Sequence, residues 1–155
     1  MNLPRVYPIV DSAAWVARLA PQGVRLVQLR IKEQPEASVR SQIEAAQALC
    51  RAAGVQLIVN DYWQLALATG CDFVHLGQGD LDCADVAALR RAGVRVGIST
   101  HDERDVVRSQ RKCPLERLPG VFAAGADVAA VVTDIVRASD PEARVRQWVV
   151  AGAVR

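Results

Sequence analysis

One segment of this 155-residue chain alternates polar and apolar side chains, reading Leu26-Val27-Gln28-Leu29-Arg30-Ile31-Lys32. In a β-strand this alternation sets Gln28, Arg30 and Lys32 on one face and the apolar residues on the other. Because parallel sheets are covered on both faces, cations buried there need an anionic partner. Arg offers a planar fork and Lys a point charge, which together favour a phosphate ester as the ligand. The alternative interpretation is a half-exposed strand whose polar face is solvated.

Two carboxylates follow neighbouring strands of the predicted sheet. Asp61 comes directly after the segment that ends at Asn60, and Asp80 lies just beyond the next strand. Two hard oxygen ligands together with phosphate oxygens describe a Mg²⁺ site. We therefore predict that Mg²⁺ bridges Asp61, Asp80 and a pyrophosphate that Arg30 and Lys32 also bind. The alternatives are that Asn60 or Asp61 only caps the next helix and that Asp80 is a turn residue.

Three further polar residues stand at predicted strand ends and have two interpretations each. Ser99 could donate a hydrogen bond to a phosphate or cap the helix after it, and Thr133 and Asp134 carry the same ambiguity. The glycine-rich segment 77–79 begins like a dinucleotide-binding fingerprint. The match fails because Asp82 stands where the third glycine belongs, so a Rossmann-type site is not favoured.

Six β-branched segments alternate with helical patterns, which predicts right-handed crossovers and a parallel sheet. The predicted strands are 5–10, 24–32, 55–60, 73–76, 94–99 and 128–135. Such a sheet is either doubly wound or closed into a (β/α)8 barrel. An atypical junction at 106–120, basic and proline-bearing, interrupts the alternation and is expected to end as coil. Six strands fall short of a barrel's eight, and 155 residues fall short of its usual minimum of about 200.

Composition predicts a single folded domain spanning 1–155 and excludes several classes of function. Apolar residues make up 51% of the chain, and 19 Lys and Arg stand against 17 Asp and Glu. A net charge of +2 gives no support to a nucleic-acid or membrane-surface partner, and no apolar run is long enough to span a bilayer. The four cysteines are scattered without a C-x-x-C pair, which argues against a zinc site and for a reducing, cytoplasmic location.

Five strand-end motifs occur in a recognisable order. They are Tyr7-Pro8-Ile9-Val10-Asp11, Gln28-Leu29-Arg30-Ile31-Lys32, Asn60-Asp61-Tyr62-Trp63, His75-Leu76-Gly77-Gln78-Gly79-Asp80-Leu81 and Gly97-Ile98-Ser99-Thr100-His101. Two later segments, Ala124-Gly125-Ala126-Asp127 and Val131-Val132-Thr133-Asp134-Ile135, extend the set. Together these motifs closely resemble the thiamine phosphate synthase family, whose members are (β/α)8 barrels.

The resemblance implies a Mg²⁺-dependent reaction of two small molecules, in which a hydroxymethylpyrimidine diphosphate joins a thiazole phosphate and pyrophosphate leaves. It implies the following contacts: the pyrimidine diphosphate with Gln28, Leu29, Arg30, Ile31, Lys32, Asn60 and Ser99, Mg²⁺ with Asp61 and Asp80, and the thiazole phosphate with Val132 and Thr133. Pyrophosphate would leave in a dissociative step, giving a resonance-stabilised pyrimidinylmethyl cation. Arg30 and Lys32 would act catalytically by stabilising the charge that develops on the pyrophosphate.

The chain departs from this family in one large respect. A strand ending in a Gly-Pro…Thr…Thr-Lys segment and a later one ending in Gly-Gly-Ile have no counterpart here, so by analogy strands six and seven are deleted. We therefore expect an incomplete barrel of about six β/α units with weakened or lost activity. The alternatives are a non-catalytic remnant, a module that only binds the pyrimidine diphosphate, or a thiazole tautomerase-like barrel. Whether a second copy completes the barrel, as a homo-oligomer, stays open.

Overall fold

Six parallel strands form one sheet in the computed structural model, which describes residues 4–98, 115–123 and 128–153. The strand order is β5-β4-β3-β2-β1-β6, and the sheet curls into a half-barrel. The strands are β1 (Val6–Val10), β2 (Leu26–Leu29), β3 (Gln56–Asn60), β4 (Phe73–Leu76), β5 (Arg95–Ile98) and β6 (Ala129–Val131). The predicted α/β class and parallel pairing are confirmed.

Helices follow the strands and supply the apolar layer on the outer face of the sheet. They are α1 (Ala13–Leu19), α2 (Glu36–Ala53), α3 (Trp63–Thr69), α4 (Gln78–Cys83), α5 (Val86–Arg91), α6 (Leu118–Ala123), α7 (Thr133–Val136) and α8 (Pro141–Ala153). In α2 the predicted helical stripe is fully buried; it consists of Val39, Ile43, Ala46 and Cys50. The Asp140 side chain caps α8 by accepting a hydrogen bond from the Ala143 N–H at 2.8 Å, as the Asp-Pro-Glu pattern predicts.

The two faces of the sheet differ as the alternation in the second strand predicts. Val27, Leu29 and Ile31 belong to the large core under the helices. Leu26 instead joins Ile58 and Phe73 in a small separate cluster on the inner, concave face. Gln28 lies on this inner face, two residues along the strand from Leu26.

The last strand is shorter than predicted. Its hydrogen-bonded part ends at Val131, and the segment from Thr133 to Val136 is helical. The prediction of a strand to residue 135 was wrong because Ile135 is buried from a helical turn, which β-branching alone did not reveal. The second strand also ends early, at Leu29, so Arg30 and Lys32 stand in the loop beyond its carboxyl end.

The junction was also predicted incorrectly where the structure describes it. Leu115–Arg117 forms a 3-10 turn and runs directly into α6, although 115–120 was expected to be coil. Leu118 is 1% exposed, and burial of this side chain stabilises the helical turn. Pro119 is compatible with the helix because it lies in the first turn, where its missing N–H would have no partner. Residues 106–114 lie outside the described part of the chain.

Asp134 connects the segment after β6 to the last helix. Its carboxylate accepts hydrogen bonds from Trp148 Nε1 at 2.7 Å and from Arg144 Nε at 2.8 Å. Burial alone would raise the pKa of Asp134, but the hydrogen bonds from Arg144 and Trp148 together hold it below the usual range. Of the two interpretations left open for this residue, the structure therefore supports a structural one, since the carboxylate is turned to α8.

Replacing Asp134 by Asn should lower the free energy of unfolding by about 2 kcal/mol at neutral pH, because the variant loses a charged acceptor for two donors. The wild-type contribution is complete above the ordinary Asp pKa of 3.8 and is lost as the pH falls through the lower pKa of the folded protein. Urea unfolding of both proteins at pH 7 and below pH 3.8 measures this. An equal difference at both pH values would contradict the assignment.

Candidate active site

Lys32, Asp61 and Asp80 meet at the carboxyl ends of three adjacent strands. The Lys32 Nζ donates a short hydrogen bond to the Asp61 carboxylate, which forms an ion pair with it. The carboxyls of Asp61 and Asp80 are hydrogen-bonded to each other, and Lys32 lies near enough to act on the charge of Asp80. The structure thus brings together both carboxylates and one of the two cations that the sequence predicts to act jointly.

The ionisation of Asp80 is perturbed by this arrangement. Burial raises the pKa of Asp80, and so do the charge and hydrogen bond of Asp61, while Lys32 and the Gly77 N–H lower it. The net shift is upward. Two carboxyl groups this close cannot easily both be ionised, because their negative charges repel each other. A cation bound between them would offset that repulsion. Their oxygen ligands suit Mg²⁺, which keeps water or phosphate in its other positions.

The backbone around Asp61 is held in an uncommon conformation. Its φ of 68° lies in the left-handed region, which Asp tolerates better than most residues. Two hydrogen bonds fix it there: the Asp61 N–H donates to the His75 carbonyl at 2.9 Å, and its own carbonyl accepts from the Trp63 N–H at 2.8 Å. This conformation costs about 1 kcal/mol. It places the Asp61 carboxylate beside Asp80.

Polar side chains line the concave face below this cluster. Gln28 is 2% exposed and Asn60 is 5% exposed. Within the described part of the chain, the Gln28 amide nitrogen has no hydrogen-bond partner. An unsatisfied buried amide costs about 1–3 kcal/mol, so this donor fits a ligand atom above the inner face. Since Gln28 pairs in register with Ile58, the next inner position of β3 is Asn60.

A cleft of about 800 Å³ opens beside Arg30, between the ends of β1, β2 and β6. Arg30 is exposed and makes no ion pair with any described residue, and both it and Lys32 line the cleft. Val132 lines the opposite side and is 45% exposed. Thr133 begins α7 next to it. Arg30, Ile31 and Lys32 of the proposed diphosphate contacts therefore share one opening with Val132 of the proposed thiazole-phosphate contacts. Asp61 and Asp80 are not part of its lining, and neither are Gln28, Asn60 and Thr133.

The remaining predicted contacts are placed less directly. The side chains of Leu29 and Ile31 are buried in the helix-side core, so Leu29 can offer a ligand only its backbone. Ser99 lies outside the described residues, directly after β5. Asp80 stands in α4, a helix that the sequence reasoning did not predict. Four further residues of the cleft wall are not predicted from the sequence: Asp11, Ser12, Trp15 and Gln34. The position of Asp11 directly after β1, like that of Asp61 after β3, is a signal that could have indicated it.

Other classes of site find little support in the residues that the structure describes. These residues contain no group of three or more His, Cys, Asp or Glu side chains able to hold a metal. Cys50 and Cys71 are buried and free, and burial raises the pKa of Cys50 to about 11, as expected of an unreactive core thiol. No helix in the described ranges has the length and hydropathy of a membrane span.

The sequence matches known proteins over most of its length. A family model described as Thiamine monophosphate synthase matches residues 6–115. The thiamine-phosphate synthase of Rhizobium etli is 45% identical, covering 99% of this chain and 97% of that protein. Its alignment extends over 198 positions, 43 more than this chain has residues, so the missing positions are internal. The thiamine-phosphate synthase of Serratia proteamaculans is 51% identical over 104 residues, which is about half (49%) of its length.

Solved structures show the same fold. The thiamine phosphate pyrophosphorylase of Pyrococcus furiosus superimposes with a TM-score of 0.73 at 18% identity, covering 97% of this chain and 96% of that one. A 3-hexulose-6-phosphate synthase gives a TM-score of 0.60 at 15% identity. At these identities the likeness concerns the arrangement of strands and helices alone.

Replacing Asp61 by Asn should lower the pKa of Asp80, because the neighbouring negative charge disappears and Lys32 loses its nearer partner. The carboxyl signal of Asp80 in a ¹³C NMR titration measures this. Asp82→Asn, which removes an exposed carboxylate from the same helix, is the matched control and should leave the titration of Asp80 unchanged. If the Asp80 titration in Asp61→Asn coincides with that of the wild type, the two carboxyls do not interact.

Proposed function

The chain belongs to the thiamine monophosphate synthase family, and we propose that it acts on that family's two substrates through the site at the strand ends. The reaction would join 4-amino-2-methyl-5-(diphosphooxymethyl)pyrimidine to thiazole phosphate, giving thiamine phosphate and pyrophosphate. The observation that carries the proposal is the contact of Lys32, Asp61 and Asp80, which the strand-end motifs predict.

The donor half of the site supports this proposal best. Asp61 and Asp80 would hold Mg²⁺, whose charge would neutralise the leaving pyrophosphate. Arg30 and Lys32 would bind the phosphate oxygens and favour departure of the group with its electron pair. Gln28 and Asn60 would face the bound donor, which could accept a hydrogen bond from the Gln28 amide nitrogen, a donor without a partner in the described part of the chain. Ser99 and the backbone of Leu29 and Ile31 would complete the donor contacts.

The acceptor would enter from the cleft at Val132 and Thr133. Once the methylene–oxygen bond of the donor has broken, the thiazole nitrogen attacks the methylene carbon with its own lone pair. The nitrogen carries no proton, so this step needs no general base. The proposed residues accordingly include no histidine–carboxylate pair that would act as a general base.

The internal gap supports a lower activity than that of full-length relatives. We propose that the missing positions, of which there are at least 43 (198 − 155), comprise strands six and seven of a (β/α)8 barrel, leaving about six β/α units in the single domain 1–155 with its junction at 106–120. Part of the wall around both phosphates would then be missing. Turnover comparable to that of the Rhizobium etli relative, with both substrates and Mg²⁺ saturating, would refute the impairment.

A second candidate is a module that binds the pyrimidine diphosphate without coupling it. The assembled donor residues beside an open sheet favour it over a remnant without any ligand. A thiazole tautomerase-like role is less favoured, since isomerising a thiazole has no use for the carboxylate pair and its neighbouring cations.

Asp61→Asn and Asp80→Asn should each weaken Mg²⁺-dependent binding of the pyrimidine diphosphate at least about tenfold, because each removes a charged oxygen ligand. Isothermal calorimetry with and without Mg²⁺ measures the affinity, and Asp82→Asn is the control. Binding of wild type that does not respond to Mg²⁺ would exclude the proposed metal site. Binding without product in a coupled assay would select the second candidate.

A further inference from the structure

Trp15 packs only partly against the core and also lines the cleft beside Arg30. It lies in the first turn of α1, one helical turn before Leu19. Leu19 is fully buried, but Trp15 is only partly buried. One part of its ring packs against the core under the helices, and another part forms the wall of the cleft beside Arg30.

An arginine on the protein surface contacts the outer face of the indole ring. The Arg18 guanidinium stacks over it, with its central carbon 4.5 Å from the ring centroid. Arg18 Nε in turn donates a hydrogen bond to Glu142 at 2.8 Å, which joins α1 to the first turn of α8. The attraction of this cation for the ring face adds to the core packing that holds the ring. The cleft therefore has a preorganised aromatic wall.

The rest of the lining defines what this wall can bind. Ile9, Val132 and Val136 supply apolar surface around the ring, and Ser12 supplies a hydroxyl. Arg30 and Asp11 also line the cleft, and Arg30 has no ion pair with the described residues. Lys32 lines it too and is paired with Asp61. An apolar and aromatic wall suits a small heteroaromatic ring that lies beside the diphosphate which Arg30 would bind.

We infer that Trp15 is a specificity-determining residue that contacts the ring of the phosphorylated acceptor in this cleft. The inference rests on the proposed function, since it identifies the heteroaromatic ring with that of the thiazole phosphate. It adds a wall to the acceptor site that comes from β1 and α1, far in sequence from the internal gap. It also explains why Arg18 and Glu142 fix a side chain that the core itself leaves partly exposed.

The test is a titration of the full chain with thiazole phosphate in the presence of Mg²⁺ and inorganic pyrophosphate, read by calorimetry and by tryptophan fluorescence. Trp15→Ala should bind the acceptor about tenfold more weakly, as expected for the loss of one aromatic contact to a ring. Trp15→Phe should keep most of the affinity and lose the fluorescence change. Trp63→Phe removes the partly buried tryptophan that begins α3 and should alter neither readout of the acceptor.

Two results would overturn the inference. One is wild-type affinity for thiazole phosphate in both Trp15 variants, with circular dichroism showing that they are folded. The other is wild-type protein that does not bind thiazole phosphate. A parallel titration of the wild type with the pyrimidine diphosphate and Mg²⁺, and an assay for thiamine phosphate, separate these failures from failure of the proposed function. A wild type that binds both substrates and forms product, with unchanged acceptor affinity in both Trp15 variants, removes only the role of Trp15. A wild type that binds the donor but not the acceptor removes the coupling function as well and selects the second candidate.

Discussion

The close approach of the Asp61 and Asp80 carboxyl groups is the main constraint at the C-terminal ends of the strands. Burial raises the pKa of Asp80, and the charge and hydrogen bond of the neighbouring Asp61 carboxyl raise it further, while Lys32 and the Gly77 N–H offset this only in part. A fold that only needed stability would separate the two acids. Here a strained φ at Asp61 and a six-residue helix at Asp80 hold them together. Such local cost is expected where a charged ligand later supplies the missing stabilisation.

The concave face extends the same principle below the acids. Burying the Gln28 amide nitrogen without a hydrogen-bond partner among the described residues is unfavourable, yet Gln28 pairs in register with two apolar residues, Ile9 on β1 and Ile58 on β3. The outer face of the same strand is fully apolar. The sheet thus separates two tasks, with the helix-side face stabilising the fold and the inner face keeping polar groups available for a ligand.

The sequence predicts the parts of this arrangement that depend on periodicity and on strand-end position. Alternation in the second strand sets the inner and outer faces correctly, and the location of Asp61 and Asp80 after adjacent strands predicts their contact. It does not predict α4, because Gly79 lowers helix propensity and six residues carry too little periodic signal. It also does not predict that the segment from Thr133 turns helical, since that depends on tertiary burial of Ile135 and on Asp134 bonding to Trp148. The place of Trp15 in the cleft wall is not predicted either, because helical spacing cannot distinguish a side chain that faces the core from one that lines a cleft.

Retention of β6 explains how a chain with an internal gap keeps a cleft. Strand β6 pairs with β1 from Val6 to Pro8, so the last β/α unit docks on the first rather than on its predecessor in sequence. Helix α8 packs so tightly there that a Cβ on Gly152 would lie 2.6 Å from Val6 Cγ2. Because these contacts join β1 and β6 directly, the wall of the cleft between them depends on no strand between β5 and β6. At the other end of the described sheet β5 is an edge strand, and Ile98 is 44% exposed where it ends. The part of the cleft wall that lies at β1 and β6 is therefore positioned by contacts between the first and the last β/α units.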